Sequence, residues 1–147
     1  MLIKRKAEKE DLPDLLELYT YLHGNSLPLI DSRITDIWND IINDPYHSIL
    51  MGFVGNNLVS SCVLVVIKNL TRDQRPYALV ENVVTRPEFR NLGYAHALLD
   101  MARDTAITHN CYKIMLMTSS KETGTMEFYR CAGYNSEDKT AFIQWFS

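Results

Sequence analysis

The sequence predicts a mixed α/β sheet with helices on both faces. Three observations indicate this class. Apolar residues switch between helical and strand spacing along the chain, a tight turn joins two central strands, and a helix separates two later strands that can lie parallel. The predicted order is β-α-α-β-β-β-α-β-α-β, an antiparallel meander followed by a crossover. We expect residues 1–147 to form a single domain.

A strand and two helices are expected in the first third of the chain. Residues 2–8 have strand character, and Asp11 can cap the first helix, which stops at residues 24–25. The second helix begins near residues 31–32 and ends at residues 43–45, where a proline follows Asn-Asp. Each helix has an apolar face: Leu12, Leu15, Leu16, Tyr19 and Leu22 in the first, and Ile34, Ile37, Trp38, Ile41 and Ile42 in the second.

Turn and loop residues divide the rest of the chain. Gly55-Asn56-Asn57 suits a tight hairpin, residues 69–76 are a polar loop, and Gly133 suits the C-terminal cap of a helix. Four large apolar residues belong to the last predicted strand: Phe142, Ile143, Trp145 and Phe146. Strands are expected at 48–54, 58–67, 77–85, 113–119 and near 139–146, and helices at about 93–108 and 122–132.

The composition is that of an ordinary globular protein and argues against several partners. With 46% hydrophobic and 22% charged residues and a net charge of −3, the chain lacks a broad basic surface for nucleic acid or anionic membranes. Residues 1–12 lack the apolar stretch of a signal peptide, and no apolar run reaches membrane-spanning length. We therefore expect a cytoplasmic protein with no nucleic-acid or membrane partner.

The cysteine and histidine positions predict no metal site. Cys62, Cys111 and Cys131 have no metal-ligand spacing, and the four histidines form no H-x-x-x-H pair. We expect all three cysteines to be reduced and mostly buried thiols.

The segment from residue 80 to residue 100 changes from strand to helix and has the chemistry of a phosphate site. Arg90-Asn91-Leu92-Gly93-Tyr94-Ala95 lies where the helix begins. The first amide N–H groups of a helix have no partner within it, and the helix dipole makes that end partially positive. Gly93 lets the backbone approach a ligand, Ala95 keeps the next turn thin, and Arg90 adds a charged donor. These residues suit a pyrophosphate site, and taken alone they equally suit an ordinary strand-to-helix turn.

Two motifs give the chain a resemblance to a known family. The strand at 77–85 followed by Arg90, Gly93 and Ala95 resembles motif A of the GNAT superfamily of acyl-CoA-dependent N-acetyltransferases, which reads [RQ]-x-x-G-x-[GA]. ETGTMEFYRCAGY at 122–134 resembles its motif B, F-Y-x-x-x-G-[FY]. Both motifs have the family's order and spacing. Asn91 stands where a glycine is frequent, and Glu122 stands where an asparagine is common, so we assign Glu122 no cofactor contact.

The resemblance implies a GNAT-like fold and acetyl-CoA as cofactor. Such a fold is a mostly antiparallel twisted sheet with helices on both faces, in which strand 77–85 splays from its parallel neighbour at 113–118. The pantetheine arm would lie along strand 77–85, and an N–H near Val83 could stabilise an oxyanion. The implied cofactor-binding residues are Val83, Val84, Thr85, Arg90, Asn91, Leu92, Gly93, Tyr94 and Ala95.

The resemblance also implies two catalytic residues. Glu81 lies nine residues before Arg90, where several family members have an acid, and burial in an apolar strand is expected to raise its pKa toward that of a useful base. It could act directly, through water or by orienting the substrate, or it could be a carboxylate in a structural ion pair. Tyr129 matches the motif B tyrosine, expected to protonate the leaving sulfur. It could also be a core aromatic residue, as we expect for Tyr134.

The acceptor is less defined. Residues 19–33 correspond to the family's acceptor region, where Tyr21, His23, Asn25 and Arg33 could contact a small polar amine, although they could equally be packed or solvated residues. We expect a small-molecule amine, with a peptide or protein amine as the alternative. Dimers are common in the family, so the resemblance also admits a homodimer. A non-catalytic acyl-CoA-binding module, or another kind of nucleotide-binding domain, would use the phosphate site without Glu81 and Tyr129.

Overall fold

The computed structural model describes all 147 residues and contains one five-stranded sheet with the order β1-β2-β3-β4-β5. The first four strands pair as antiparallel neighbours, and β5 pairs parallel to β4. This confirms the predicted mixed sheet. The strands are β1 (Leu2–Lys6), β2 (His47–Val54), β3 (Asn57–Ile67), β4 (Tyr77–Thr85) and β5 (Ile114–Leu116); the helices are α1 (Leu12–Tyr19), α2 (Ser32–Asn43), α3 (Tyr94–Thr108) and α4 (Thr123–Cys131).

The sheet separates two apolar cores. One core lies between the sheet and helices α1 and α2, and includes Leu15, Leu18 and Trp38. The other lies between the sheet and α3, and includes Leu98 and Leu99; side chains of α4 pack at its margin. The helices therefore cover both faces, as the sequence predicts. None of them has both the length and the apolar composition needed to cross a membrane.

The helix ends follow from local sequence, with two corrections, one at each end of α1. α1 ends at Tyr19 and not at residues 24–25 as expected. The Asp31 carboxylate accepts the amide of Ile34 at 2.9 Å and so caps α2. Asp11 was expected to cap α1 in the same way, but its side chain makes no capping bond. Its carboxylate instead accepts two bonds from Arg5, at 2.6 and 2.9 Å, and one from the amide of Glu8. The hydrogen bonds from Arg5 hold the pKa of this buried carboxyl below its ordinary value.

A β-bulge interrupts the pairing of β3 with β4. Ser61 pairs with Val84, and Val63 pairs with Glu81, so two residues of β4 lie opposite one residue of β3. Asn82, in the bulge, has a φ of 51°. The extra residue changes which side chains face each core. Val80 and Val83 contact the α3 core, whereas Val84 belongs to the α1–α2 core.

The last predicted strand is absent. Residues 135–147 form no strand, and the backbone groups of residues 139–147 make no hydrogen bonds. The side chains of Phe142, Ile143, Trp145 and Phe146 are 67–92% exposed. Local sequence has the right apolar pattern for a strand, but a strand also requires a partner edge, and this segment pairs with none within the chain.

Candidate active site

The first turn of α3 presents a run of unpaired amides. The N–H groups of residues 91–96 donate to no backbone carbonyl and to no side chain. Ala97 is the first residue of the turn to donate, to the carbonyl of Gly93 at 3.0 Å. Since α3 has 15 residues, the partial positive charge of a full helix dipole adds to these donors. The arrangement is that of an anion-binding helix terminus.

Two residues with positive φ shape the turn that leads into α3. Asn91 has a φ of 62° and Gly93 a φ of 83°. Left-handed conformations are tolerated best by glycine and next best by asparagine, which accounts for both residue types. A Cβ added at Gly93 would meet no atom within 4 Å, so the turn is open on that side.

The side chain of Arg90 is fixed at one end only. Its Nε donates to the carbonyl of Thr85 at 3.2 Å, while its two terminal nitrogens have no partner. Arg90 is exposed and directly precedes the residues with unpaired amides in the sequence. It can therefore supply two further charged donors to an anion bound there.

Strands β4 and β5 separate beyond Val80. Their parallel pairing covers three residues of each strand and ends at Val80 and Leu116. Residues 81–85 of β4 consequently have no partner on the β5 side, which is the splay that the resemblance implies. Val83 and Thr85 are half-buried, Val84 is buried, and the Thr85 hydroxyl lies 2.8 Å from that of Ser60.

Tyr129 lies at the margin of the α3 core. Its ring is 5.0 Å from that of Phe128 and 6.4 Å from that of Tyr134, both edge-on. Burial raises the pKa of the Tyr129 phenol, and the nearby Cys62 acts in the same direction. The phenol is therefore protonated at neutral pH and can donate a hydrogen bond or a proton.

Glu81 lies on the opposite face of the sheet from Tyr129. It pairs in register with Val63, which belongs to the α1–α2 core, so its side chain leaves the sheet on that side. The expectation that this carboxylate is buried is wrong, because Glu81 is exposed. The bulge at Asn82 opens the sheet at this point. The two predicted catalytic side chains are thus separated by the sheet, except where β4 and β5 diverge.

A cavity of about 340 Å³ lies on the α1 side, and one of the four predicted acceptor residues lines it. Asn25 belongs to the lining, and its amide donates to the carbonyl of Leu22 at 2.8 Å. Tyr21 instead lies under the Arg86 guanidinium at 5.7 Å, and His23 and Arg33 are exposed outside the lining. The complete lining is Leu16, Tyr19, Asn25, Ser26 and Pro28.

Sequence reasoning missed Tyr19 and Asn82 as residues of this region. Burial raises the pKa of Tyr19 to about 12. The side chain of Asn82 partly offsets this increase, which indicates that the two residues are neighbours. Tyr19 was interpreted only as part of an apolar helix face. The bulge does have a sequence signal, since the apolar residues of β4 change phase between Val80 and Val84.

The cysteines offer no activated thiol in the interior. Burial raises the pKa of Cys62 to about 12, so its sulfur is a neutral thiol at physiological pH. Burial also raises the pKa of Cys111. All three cysteines are free, with Cys62 and Cys111 buried and Cys131 exposed, which agrees with the expectation of mostly buried thiols.

Comparison with known proteins bears on the family and on the fold. Residues 11–134 match the acetyltransferase (GNAT) family. A curated relative, glucosamine 6-phosphate N-acetyltransferase from Trypanosoma brucei brucei, is 28% identical over 82 residues, which are 56% of this chain and 54% of the relative. The chain thus aligns with about half the length of that relative.

Solved structures match nearly the whole chain. A provisionally assigned acetyltransferase from Agrobacterium tumefaciens str. C58 has a TM-score of 0.89 and 32% identity, over 97% of this chain and 99% of that one. Glucosamine-6-phosphate N-acetyltransferase from Arabidopsis thaliana has a TM-score of 0.86 at 18% identity, over 100% and 99% of the two chains, which is a likeness of fold. Because the family match runs from α1 through the turn at residues 90–95 to α4, the chain belongs to the acetyltransferase (GNAT) family, as its two motifs predict.

Proposed function

We propose that this protein transfers an acetyl group from acetyl-CoA to a primary amine of a small molecule. The observation that carries the proposal is the run of unpaired amides at residues 91–96, next to the unpaired edge of β4 at residues 81–85. The unpaired amides suit a diphosphate, and the unpaired edge of β4 suits an extended amide-containing chain that can pair with a strand. Coenzyme A contains both groups in that order.

The cofactor would be held by the turn and by the strand that precedes it. The amides of Asn91 to Ala95, together with Arg90, would bind the pyrophosphate. The β4 backbone around Val83 to Thr85 would pair with the pantetheine arm. When bound, acetyl-CoA supplies an acetyl group activated as a thioester.

The two proposed catalytic residues would act from opposite sides of the opening between β4 and β5. On the α1 side, Glu81 would accept the proton that the acceptor nitrogen must lose to act as a nucleophile, directly or through water. On the α3 side, the hydroxyl of Tyr129 would hold a proton for the departing sulfur. Burial raises the pKa of Tyr129, so the phenol is protonated at neutral pH and can donate a hydrogen bond to that sulfur.

The acceptor would enter from the α1 side. The cavity lined by Tyr19 and Asn25 lies there, and its volume of about 340 Å³ is at the lower end of small-molecule sites, which are roughly 300–1,000 Å³. An amino sugar fits this size and is the acceptor class named for the Trypanosoma relative. We therefore propose a small polar amine, with a peptide amine as the alternative.

The test is thiol release from acetyl-CoA with a panel of amino sugars, polyamines, aminoglycosides and peptides. With an amine that turns over, Tyr129→Phe should lower kcat by roughly 10²-fold or more with little change in KM, since general acid catalysis contributes about 10²–10⁴-fold. Glu81→Gln should lower the rate with the same amine.

Matched control variants distinguish the loss of a catalytic group from a non-specific effect of substitution on folding. Tyr134→Phe removes a neighbouring buried hydroxyl that has no hydrogen-bond partner, and Glu10→Gln removes an exposed carboxylate far along the chain. Both should retain activity. Coenzyme A binding without turnover of any amine would favour the non-catalytic module, and tighter binding of ATP or NAD in competition calorimetry would overturn the cofactor assignment.

A further inference from the structure

The bulge in β4 places two neighbouring polar side chains on the same face of the sheet. In a regular strand, Glu81 and Asn82 would lie on opposite faces. The register puts the Glu81 side chain on the α1 side, and the left-handed backbone of Asn82 interrupts the alternation. Burial raises the pKa of Tyr19 in α1, and the side chain of Asn82 partly offsets this rise, so Asn82 also lies on the α1 side. Both bulge side chains are exposed there.

Helix α1 is fixed against the end of β4 directly after the bulge. Arg86, which follows β4, donates from Nη2 to Oε1 of Glu17 at 3.2 Å and from Nε to the carbonyl of Leu58 at 2.7 Å. Tyr19 follows Glu17 by two residues, and it also lines the cavity of about 340 Å³. This tyrosine therefore connects the proposed acceptor cavity with the bulge.

The polar groups between the cavity and the bulge suit a neutral hydroxyl of a ligand. A phenol and a carboxamide each donate and accept, so Tyr19 and Asn82 keep capacity for a ligand even where they bond to each other. An anionic group is disfavoured, because Glu81 is adjacent and the charge of Arg86 is balanced by Glu17. A cationic amine would be drawn to the Glu81 carboxylate instead.

We propose that Tyr19 and Asn82 select acceptors that carry a hydroxyl on the carbon next to the amine-bearing carbon, which are 1,2-amino alcohols. This inference rests on the proposed function, since it places the acceptor amine at Glu81. Consecutive Cα atoms are about 3.8 Å apart, so two adjacent side chains on one face can hold two groups on adjacent carbons. An amine without the hydroxyl displaces water from Tyr19 and Asn82 and leaves both with an unmade hydrogen bond.

The test compares amines that differ by a single hydroxyl: cyclohexylamine, trans-2-aminocyclohexanol and trans-4-aminocyclohexanol. In the wild type, kcat/KM should be about tenfold or more higher for the 2-hydroxy amine than for the other two. Tyr19→Phe removes only the hydroxyl, and Asn82→Gly removes the side chain while keeping the left-handed backbone. Each substitution should reduce the preference to about twofold or less. No preference in the wild type, or a full preference retained in either variant, would overturn the proposal.

Two control variants match these substitutions elsewhere in the molecule. Tyr46→Phe changes a tyrosine that is 39% exposed beneath the ammonium of Lys68. Asn110→Gly changes a second exposed asparagine with a positive φ, of 62°. Both controls should keep the wild-type preference. The dissociation constant for coenzyme A, measured by calorimetry, should be unchanged in Tyr19→Phe and Asn82→Gly, because the turn that opens α3 lies on the other side of the sheet.

Amine binding distinguishes this inference from the proposed function. The three amines are titrated calorimetrically into the wild type in the presence of coenzyme A, and the 2-hydroxy amine should bind about tenfold more tightly than the other two. If it does so while no amine is acetylated, the proposed transfer is wrong and the recognition of the hydroxyl stands. If it binds no more tightly than cyclohexylamine, this inference is wrong whether or not the protein acetylates amines.

Discussion

Asn82 and Gly93 show how single residues shape the candidate site. Each has a left-handed backbone conformation, at the bulge of β4 and at the start of α3 respectively. The bulge changes the face on which the later β4 side chains lie, and the glycine turn exposes the amides. Function would therefore depend on two conformations that most residues adopt only with strain.

Gly93→Ala should weaken coenzyme A binding and lower stability. At a φ of 83° the cost is conformational, roughly 1–2 kcal/mol, because the added Cβ meets no neighbouring atom. If the turn relaxes to avoid this strain, the amides change direction, and the dissociation constant measured by calorimetry should rise by about tenfold or more.

Gly124→Ala is the matched control for that change. Gly124 also has open space around it, but it lies in the first turn of α4 without a positive φ. Alanine there should be neutral or stabilising by up to about 0.5–1 kcal/mol. Equal effects of the two substitutions on binding would contradict the role given to the turn.

Only part of the candidate site could be predicted from its residues. The turn at residues 90–95 and the start of α3 were predictable because their pattern is local, with Arg90, Gly93 and Ala95 at fixed spacing before an amphipathic helix. The exposure of Glu81 was not, because it depends on the bulge and on how far α1 covers the sheet. Contact between Tyr19 and the β4 bulge likewise depends on residues far apart in sequence.

At the scale of elements, the central strands and helices α2 to α4 were predicted to within about one residue, whereas α1 ends earlier than expected. The cap at Asp31 and the apolar face of α2 depend on neighbouring residues, and α2 begins and ends where the sequence predicts. β5 is shorter than expected and the last strand is missing, because a strand exists only where another strand pairs with it. Gly133, by contrast, caps α4 as predicted, with a φ of 98° and the amide of Tyr134 bonded to the carbonyl of Tyr129.

Trp38→Ala should destabilise the layer formed by α1 and α2. Trp38 is 4% exposed, and its indole N–H donates to the carbonyl of Lys9 at 2.9 Å. Loss of the ring should lower the free energy of unfolding in urea by about 3–5 kcal/mol. Ile37→Ala, one position earlier at 49% exposure, should cost much less. Equal losses of unfolding free energy in the two variants would mean that Trp38 does not hold α2 against the sheet.

For the whole molecule, buried tyrosines predict a loss of stability in alkali. Burial raises the pKa of Tyr19 to about 12, whereas an unfolded tyrosine ionises near 10. The unfolded chain therefore releases its proton first. Tyr19 makes its full contribution to the free energy of unfolding below about pH 10. As the pH rises toward 12 this contribution is lost, which lowers the free energy of unfolding by up to roughly 2–3 kcal/mol.

Urea unfolding at pH 9 and at pH 11.5 measures this effect. Tyr19→Phe should lose less stability between the two values than the wild type. Tyr21→Phe changes a partly exposed tyrosine two residues away and should retain the full dependence. If the free energy of unfolding of Tyr19→Phe depends on pH as the wild type's does, the loss of stability in alkali comes from other groups. Tyr134, whose pKa burial raises to about 12, is then the first candidate.

The division of the interior by the sheet has a consequence for how the protein tolerates change. The proposed acceptor cavity is lined by residues of α1 and of the loop after it. Helix α3, which follows the turn at residues 90–95, and Tyr129 instead pack in the core on the other face of the sheet. The two cores have no residue in common, and the effects of substitutions without shared partners usually sum. We therefore expect substitutions in the layer of the proposed acceptor cavity to leave the turn that opens α3 largely unchanged.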